Sequence, residues 1–258
     1  MTRFASRRDS THDLPRSPDG WAFFLDIDGT LIDIAPTPDA VVVPPGLPEA
    51  LAALVVATGG AVAVLTGRDL DTVDRLFAPV RLPAGAVHGS LLRDARGTII
   101  GDPPAAGLSA VRERLAAFVA AHPAALLEDK GTAVAVHFRA DPGLGPAAEA
   151  AVGEAMAAAG EGLAVQPGKM VFEVRPAGAD KGIALDTFMQ SADFRGRRPI
   201  AVGDDLTDES MFRSALAHAG AAFRVGAPPE GRSSVAPTAF DSPAAVRSWI
   251  SALVSPHS

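Results

Sequence analysis

The sequence predicts an α/β fold, in which a Rossmann-like parallel β-sheet carries helices on both faces and a smaller α+β unit is inserted in the chain. In the first and last thirds of the chain, short apolar runs alternate with helical patterns, which is typical of β–α–β units with buried parallel strands. Two of these runs are followed directly by aspartates, at the strand ends where open α/β sheets bind ligands. Between the two thirds, the pattern changes to a helix and two alternating strands, repeated once.

Length and composition limit the classes of protein to which the chain can belong. Its 258 residues, 48% of them hydrophobic, suffice for one large or two modest domains and exclude a wholly disordered chain. A net charge of −7 argues against a nucleic-acid partner, and the absence of cysteine excludes disulfides. The most apolar stretch, residues 50–65, is interrupted by Thr58, Gly59 and Gly60, so no membrane-spanning segment is predicted. With no signal-peptide pattern visible, we expect a cytoplasmic protein.

The first third of the chain is predicted to open with a mobile N-terminal tail, residues 1–20, because it is rich in Arg, Ser, Asp and Pro. The elements predicted next are a strand at 22–25, an extended proline-rich loop at 34–48, a helix at 47–58, a strand at 60–65, a helix at 69–77, a strand at 86–89, a hairpin within 91–100 and a linker at 102–106. The order strand–helix–strand predicts a right-handed crossover in a parallel sheet.

The inserted unit and the last third complete the predicted fold. The inserted unit is predicted to contain a helix at 108–121, strands at 124–128 and 132–138, a helix at 146–159, and strands at 163–166 and 170–175. The last third is predicted to contain a helix at 181–189, strands at 199–203 and 223–225, and a helix at 244–253. The domains expected from this pattern are a core of residues 21–106 and 177–258 and an inserted domain of residues 107–176.

Acidic residues follow two of the predicted buried strands. Asp26 and Asp28 come directly after the first strand, and Asp204, Asp205 and Asp208 follow the strand at 199–203. Carboxylates this close repel one another unless a cation lies between them. The pattern therefore favours a Mg²⁺ site in which one carboxylate is a nucleophile and another a general acid/base. A polar turn for the first cluster and an acidic helix N-terminus for the second are the alternatives.

Thr66 and Lys181 are the next candidates. Thr66 ends the second predicted strand, where its hydroxyl could bind a phosphoryl oxygen or cap the following helix. Only three of the 23 basic residues are lysines, at 130, 169 and 181, and a position that keeps lysine indicates a need for a compact ammonium group. Lys181 falls in the first turn of a predicted helix, where a cation opposes the dipole unless an anion lies beside it. A solvated surface lysine is the alternative.

Four motifs resemble, in order, those of the haloacid dehalogenase-like phosphatases: Asp26-Ile-Asp-Gly-Thr30, Leu65-Thr-Gly-Arg68, Lys181 and Gly203-Asp-Asp-Leu-Thr-Asp208. Within that superfamily, the chain looks like the trehalose-6-phosphate phosphatases, on residues 26–40, 88–89, 128–131, 168–176, 180–182 and 203–212. The resemblance implies that the core, 21–106 and 177–258, is catalytic. It also implies that residues 107–176 form an αββαββ cap domain that closes over the site.

The resemblance implies roles for the motif residues. Asp26 would be the nucleophile and Asp28 the general acid/base, with Thr66 and Lys181 helping to neutralise the phosphoryl group. Mg²⁺ would be held by Asp26, Asp204 and the backbone carbonyl of Asp28, while Asp205 and Asp208 would orient its waters and Lys181. The residues expected to bind substrate are Gly67, Arg68, His88, Glu128, Lys130, Arg139, Lys169 and Glu173.

The predicted function is Mg²⁺-dependent hydrolysis of trehalose 6-phosphate to trehalose and phosphate through an aspartyl-phosphate, by a monomer without a nucleic-acid or membrane partner. A phosphatase for another sugar phosphate, such as sucrose 6-phosphate or mannosyl-3-phosphoglycerate, is the alternative within the same class. A non-catalytic sugar-phosphate sensor is the alternative from a different class. Asp26 and Asp28 argue against the sensor, because binding alone requires no nucleophile.

Overall fold

The computed structural model describes residues 14–35, 40–100, 105–228 and 230–255. Residues 1–13 of the predicted tail, Pro36 and Pro38 of the predicted loop, and residues 102–104 of the predicted linker lie outside the described residues. The end of the predicted tail contacts the rest of the protein. Leu14 packs against the apolar core, and the indole Nε1 of Trp249 donates a hydrogen bond of 3.0 Å to the carbonyl of Pro15.

Within these ranges the chain forms seven helices and two sheets. The strands are β1 (Trp21–Leu25), β2 (Val62–Leu65), β3 (Ala84–Ala86), β4 (Leu91–Arg93), β5 (Ile99–Ile100), β6 (Leu126–Asp129), β7 (Val134–His137), β8 (Leu163–Gly168), β9 (Val171–Pro176), β10 (Arg198–Gly203), β11 (Ala221–Val225) and β12 (Thr238–Phe240). The helices are α1 (Leu47–Ala57), α2 (Leu70–Phe77), α3 (Leu108–Ala121), α4 (Gly145–Ala159), α5 (Lys181–Gln190), α6 (Glu209–Ala217) and α7 (Pro243–Val254). No helix in the described part of the chain is both long and apolar enough to cross a bilayer.

The larger sheet has the strand order β12–β11–β10–β1–β2–β3–β4–β5. The strands from β12 to β3 run parallel, and the β4–β5 hairpin extends the sheet in antiparallel fashion. Side chains of β1 alternate between two cores. Phe23 and Leu25 pack with α1, α2 and α7, whereas Ala22 and Phe24 pack with α5 and α6. The sheet therefore carries helices on both faces, as predicted, and β1 lies near its centre because it is apolar on both faces.

The inserted unit, called the cap below, is a second sheet of order β6–β7–β9–β8, antiparallel throughout, covered by α3 and α4. Val134, Val136 and Val174 point into the core shared with the two helices, which leaves alternate side chains to face the other way. The helix–strand–strand repeat read from the sequence is confirmed by this architecture. The domain boundaries at 106/107 and 176/177 stay a prediction.

Three elements differ from the sequence prediction. The strand predicted at 86–89 is wrong beyond Ala86, because Val87 and His88 have φ of 49° and 55° and form a 3₁₀ turn, Val87–Gly89. Helix α6 was raised only within the alternative that makes the acidic motif a helix N-terminus, and no bounds were predicted for it. Strand β12 was not predicted because its three residues are too short for a periodic pattern. The other predicted boundaries shift by a few residues, which is within the ambiguity of element ends.

Candidate active site

A cavity of about 710 Å³ lies between the carboxyl ends of the parallel strands and the hairpins of the cap. Every predicted site residue lines this cavity except Asp208, which is fully buried beneath it. The residues that line it from the core are Asp26, Asp28, Thr66, Gly67, Arg68, His88, Lys181, Asp204 and Asp205, and those from the cap are Glu128, Lys130, Arg139, Lys169 and Glu173. The fold therefore brings together residues that are far apart in the sequence.

The deepest part of the cavity is an acidic cluster. Asp26, Asp204 and Asp208 place carboxylate oxygens within 4.8 Å of one another. Burial raises the pKa of Asp26 well above its usual range. Burial, with the charges of Asp208 and Asp205, also raises the pKa of Asp204 to about 6. Burial is the largest cause of both shifts, and a bound cation would stabilise the ionised carboxylates. A Cβ at Gly29 would overlap the Asp204 carboxylate, so glycine is required for this close approach.

Lys181 binds two members of the acidic cluster. Its Nζ donates hydrogen bonds of 2.6 Å to Asp26 Oδ1 and 2.6 Å to Asp208 Oδ1, and the residue is only 2% exposed. Burial by itself would lower the pKa of Lys181, but the carboxylates of Asp208 and Asp26 outweigh it and raise the pKa. The surface-lysine alternative is therefore wrong. Lys181 is the first residue of α5. The N-cap residue of this helix is Asp180, whose Oδ1 accepts a hydrogen bond of 2.8 Å from the Ile183 N–H.

The loop after β2 presents Thr66 and Arg68 to the cavity. Thr66 does not cap α2, because the N-cap is Asp69, whose side chain accepts a hydrogen bond of 2.7 Å from the Thr72 N–H. Arg68 binds both carboxylate oxygens of Asp28, with Nε–Oδ2 at 2.7 Å and Nη2–Oδ1 at 2.6 Å. A bidentate pair of this kind fixes the orientation of both side chains. The sequence suggested neither the true cap of α2 nor the partner of Asp28.

The acidic motif after β10 has two functions. Asp205 caps the 3₁₀ turn Leu206–Asp208, and the Asp208 side chain accepts a hydrogen bond of 2.9 Å from the Asp205 N–H. The other Asp208 oxygen, Oδ1, accepts from Lys181. The alternative of an acidic helix N-terminus therefore holds for Asp205, which is the N-cap residue of the 3₁₀ turn. Asp208 takes part in the same capping hydrogen bonds and also belongs to the acidic cluster.

The cap contributes two hydrogen-bonded pairs of ionisable side chains to the cavity. Lys130 Nζ donates hydrogen bonds of 2.5 Å to Glu173 Oε2 and 3.1 Å to the carbonyl of Gly67 in the core. Glu128 Oε2 lies 2.8 Å from His137 Nε2, and this hydrogen bond lowers the pKa of Glu128. Both pairs combine donors and acceptors that face the cavity. This is the chemistry that a polyhydroxylated ligand requires. Lys169 and Arg139 are exposed and lie at the rim.

His88 lies at the junction of the core and the cap. Its Nε2 is 3.9 Å from Glu173 Oε1, and a Cβ at Gly67 would lie only 2.6 Å from the same nitrogen. Burial, followed by the charges of Lys181, Lys130 and Arg175, lowers the pKa of His88 to about 3. His88 is therefore a neutral imidazole, packed against glycine because no larger residue leaves it room.

Sequence reasoning missed His137 and Gln166, which also line the cavity. A signal for His137 existed in the strand register. Glu128 pairs with Ala135 across β6 and β7, so His137, two residues further, is its diagonal neighbour on the same face. Gln166 had a signal of the same kind, because it pairs with Glu173 across β8 and β9, and Arg175 is therefore its diagonal neighbour. Gln166 Oε1 accepts a hydrogen bond of 3.1 Å from Arg175 Nε.

Comparison with known proteins agrees with this geometry. The family model for trehalose-phosphatase matches residues 24–242. The chain belongs to the trehalose-phosphatase family. A probable trehalose-phosphate phosphatase of Sinorhizobium fredii is 46% identical over 210 residues, which cover 81% of this chain and 79% of the relative. The trehalose-6-phosphate phosphatase of Escherichia coli is 40% identical over 207 residues, covering 80% and 77%.

Solved structures of related proteins share the fold. Aspergillus fumigatus trehalose-6-phosphate phosphatase superposes with a TM-score of 0.62 at 28% identity, covering 91% of this chain and 92% of that one. The C-terminal domain of Candida albicans trehalose-6-phosphate phosphatase gives 0.73 at 22% identity, covering 91% of each chain. The predicted family and the predicted haloacid dehalogenase-like fold with a cap are confirmed. As a member of the trehalose-phosphatase family, the protein is a phosphatase and hence a hydrolase.

Proposed function

We propose that this chain hydrolyses trehalose 6-phosphate to trehalose and phosphate through an aspartyl-phosphate on Asp26, with Mg²⁺ as the cofactor. The observation that carries the proposal is the single cavity that joins Asp26 and Lys181 at one end to the charged pairs of the cap at the other. Relatives at 46% and 40% identity bear the names of this activity. A sugar phosphate has the same division into a charged end and a hydroxylated end.

The acidic cluster fits a small, hard cation. Carboxylate and carbonyl oxygens are the ligands that Mg²⁺ prefers, and a bound cation would stabilise the ionised forms of Asp26 and Asp204, whose pKa values burial raises. Asp26, Asp204 and the backbone carbonyl of Asp28 would hold the ion, and the Asp208 carboxylate lies within the same 4.8 Å group. The bound ion would neutralise phosphoryl charge so that an anionic nucleophile can approach a dianion.

The first half of the reaction forms a bond between an Asp26 oxygen and phosphorus and breaks the bond from phosphorus to the sugar oxygen. Asp28 gives its proton to that leaving oxygen. Lys181 remains charged throughout, held by Asp208, and with the Thr66 hydroxyl it stabilises the phosphoryl oxygens. In the second half, water attacks phosphorus, Asp28 takes its proton, and the Asp26 carboxylate is released together with phosphate.

The Arg68–Asp28 pair adds one requirement to this sequence of steps. Both Asp28 oxygens accept hydrogen bonds from Arg68, so the carboxyl group cannot turn toward the leaving oxygen while this pair is intact. We therefore expect the substrate phosphate to compete for the Arg68 guanidinium, which frees Asp28 to carry a proton. Arg68 would then bind the anionic end of the substrate, which is the role expected from the sequence.

A panel of phosphate esters tests the proposal and separates it from its alternatives. Phosphate release is measured with Mg²⁺ on trehalose 6-phosphate, sucrose 6-phosphate, mannosyl-3-phosphoglycerate and p-nitrophenyl phosphate. We expect kcat/KM to be highest on trehalose 6-phosphate, by about tenfold or more, because the cap recognises the sugar. A higher value on another sugar phosphate would transfer the proposal to that substrate. Binding of trehalose 6-phosphate without release of phosphate would favour the sensor.

A further inference from the structure

Arg224 is a buried charge that the proposed reaction does not use. It lies on β11, beside Gly203 of β10, and is 4% exposed. Removing a guanidinium from water is costly unless partners replace the lost hydration. A buried arginine directly beside the acidic loop therefore requires an explanation.

The contacts of Arg224 point at one peptide group. One terminal N–H donates to the backbone carbonyl of Asp204, while Nη1 lies 3.7 Å from Glu209 Oε1. Glu209 Oε2 in turn accepts a hydrogen bond of 2.9 Å from the Val235 N–H. Within the described part of the chain, Arg224 Nε and Nη1 have no hydrogen-bond partner. The carbonyl of Asp204 is thus the hydrogen-bond acceptor of Arg224 in the described part of the chain.

The peptide that joins Asp204 to Asp205 is held at both ends. Its carbonyl accepts from Arg224, and its N–H donates to Asp208 Oδ2 at 2.9 Å. Fixing this peptide plane fixes ψ of Asp204, and with it the direction in which the Asp204 side chain leaves the backbone. The Asp204 carboxylate must pass close to Gly29 and end within 4.8 Å of the Asp26 and Asp208 oxygens, so its direction has little tolerance.

We propose that Arg224 is a positioning residue of the metal site: by holding the Asp204 carbonyl, it sets the direction of the Asp204 carboxylate toward the cation. This inference rests on the proposed function, because it assumes that the cluster binds a divalent ion. It differs from a purely structural role in one respect. A structural arginine changes the stability of the fold alone, whereas a positioning arginine changes the affinity for the ion in a protein that remains folded.

The experiment measures Mn²⁺ binding to the full chain, without substrate, by the loss of the electron paramagnetic resonance signal of free Mn²⁺. We expect Arg224→Met to bind Mn²⁺ about tenfold to about a hundredfold more weakly than the wild type, the usual effect of losing a group that orients a ligand. Arg224→Lys keeps the charge and one donor but loses the planar fork, so its affinity should fall between the two. In activity assays, the Mg²⁺ concentration for half-maximal activity should rise, while kcat at saturating Mg²⁺ recovers.

Arg93→Met is the matched control. Arg93 is as deeply buried, at 1% exposed, on β4 of the same sheet, but it binds both Asp74 oxygens at 2.8 and 2.6 Å and the carbonyl of Leu82. This variant should lower the melting temperature and leave Mn²⁺ affinity unchanged.

The outcomes separate the inference from the proposed function. A wild-type protein that binds no Mn²⁺ would overturn the metal site itself. Binding by the wild type with equal affinity in Arg224→Met, or equal weakening in Arg93→Met, would overturn only the role of Arg224. If circular dichroism shows Arg224→Met to be unfolded, Arg224→Lys decides, and unchanged Mn²⁺ affinity in that folded variant would overturn the inference.

Discussion

Asp26 and Lys181 are separated by 155 positions in the chain and share a hydrogen bond of 2.6 Å. The sequence identified both residues, because a carboxylate at a strand end and a lysine in a first helical turn each need an opposite charge. It did not identify the pairs Arg68–Asp28 and Glu128–His137. Residue type predicts that a charge needs a partner, whereas the choice of partner depends on loop geometry and strand register, which composition does not encode.

Asp26→Asn is expected to fold and to release no phosphate. The amide cannot form the acyl phosphate, and the loss of one buried carboxyl leaves Lys181 paired with Asp208 at 2.6 Å. Phosphate release and circular dichroism are the measurements. Asp28→Asn is the contrast, because it keeps the nucleophile and should accumulate phospho-enzyme that hydrolyses slowly. Turnover by Asp26→Asn near the wild-type rate would remove Asp26 from its role.

His88 makes the stability of the fold depend on pH. The pKa of His88 is lowered to about 3 by burial and by Lys181, Lys130 and Arg175. As the pH falls through about 6.5, His88 therefore takes up a proton in the unfolded chain but not in the folded chain. The contribution of neutral His88 to the free energy of unfolding is fully present above about pH 6.5 and is lost as the pH falls from there toward 3. Between about pH 7.5 and about pH 5 the expected loss is about 2 kcal/mol, on the order set by linkage.

His88→Asn isolates this effect, because asparagine tolerates the positive φ of 55° and does not titrate. Urea unfolding of both proteins at the two pH values gives the difference. Over that interval, the free energy of unfolding should fall by about 2 kcal/mol less in the variant than in the wild type. The carboxyl groups titrate in both proteins, so their contribution cancels in this difference. An equal loss in the two proteins would mean that His88 is protonated in the folded state.

At the scale of elements, the active site is a consequence of strand order. Parallel pairing of β1 with β10 and with β2 brings three strand ends to one edge of the sheet. That arrangement could be expected from the βαβ pattern, since apolar runs followed by helices admit few topologies. The boundary between β3 and the turn at Val87–Gly89 could not be foreseen, because the left-handed conformations of Val87 and His88 are imposed by contacts with the cap and the β2 loop.

Metal removal tests whether the carboxylates at the ends of β1 and β10 act through a bound cation. EDTA should abolish phosphate release, and added Mg²⁺ should restore it, because the carboxylates of Asp26, Asp204 and Asp208 lie within 4.8 Å of one another and would need the charge of the cation to accept a phosphate dianion. Calcium should substitute poorly, since its larger and looser coordination would misplace the nucleophile. Full activity in EDTA would show that the acidic cluster acts without a divalent ion.

At the scale of the molecule, the core and the cap meet around the cavity through a small number of polar contacts. Lys130 Nζ reaches the carbonyl of Gly67 at 3.1 Å, and the hydroxyls of Ser90 and Thr132 are 3.1 Å apart. The sequence predicted the cap from its repeated pattern and named half of its cavity residues through resemblance. It could not predict that Lys130 also contacts the core, because that contact depends on how the two sheets are placed.

The cap pair Lys130–Glu173 should determine specificity more than turnover. If it binds the sugar, Lys130→Ala and Glu173→Ala should each lower kcat/KM on trehalose 6-phosphate by about tenfold or more, about 1.4 kcal/mol per factor of ten. Hydrolysis of p-nitrophenyl phosphate should change little, because that ester offers no sugar hydroxyls. Each single variant leaves a buried charge without its partner, as Lys130 and Glu173 have side chains only 11% and 8% exposed. The double variant Lys130→Ala/Glu173→Ala removes both charges and so excludes that cause.

Arg112→Ala is the control for an exposed pair of the cap, and its guanidinium also donates a hydrogen bond of 3.3 Å to the carbonyl of Gly131. Its guanidinium lies 2.6 Å from Asp129, but the two side chains are 35% and 45% exposed, and pairs of this kind contribute about 0–1 kcal/mol. Activity on both substrates should match the wild type.

If the Lys130 and Glu173 variants lose equal activity on trehalose 6-phosphate and on p-nitrophenyl phosphate, the Lys130–Glu173 pair supports the arrangement of core and cap through Gly67. Recognition of the sugar would then have to come from Glu128, His137 and the residues at the rim.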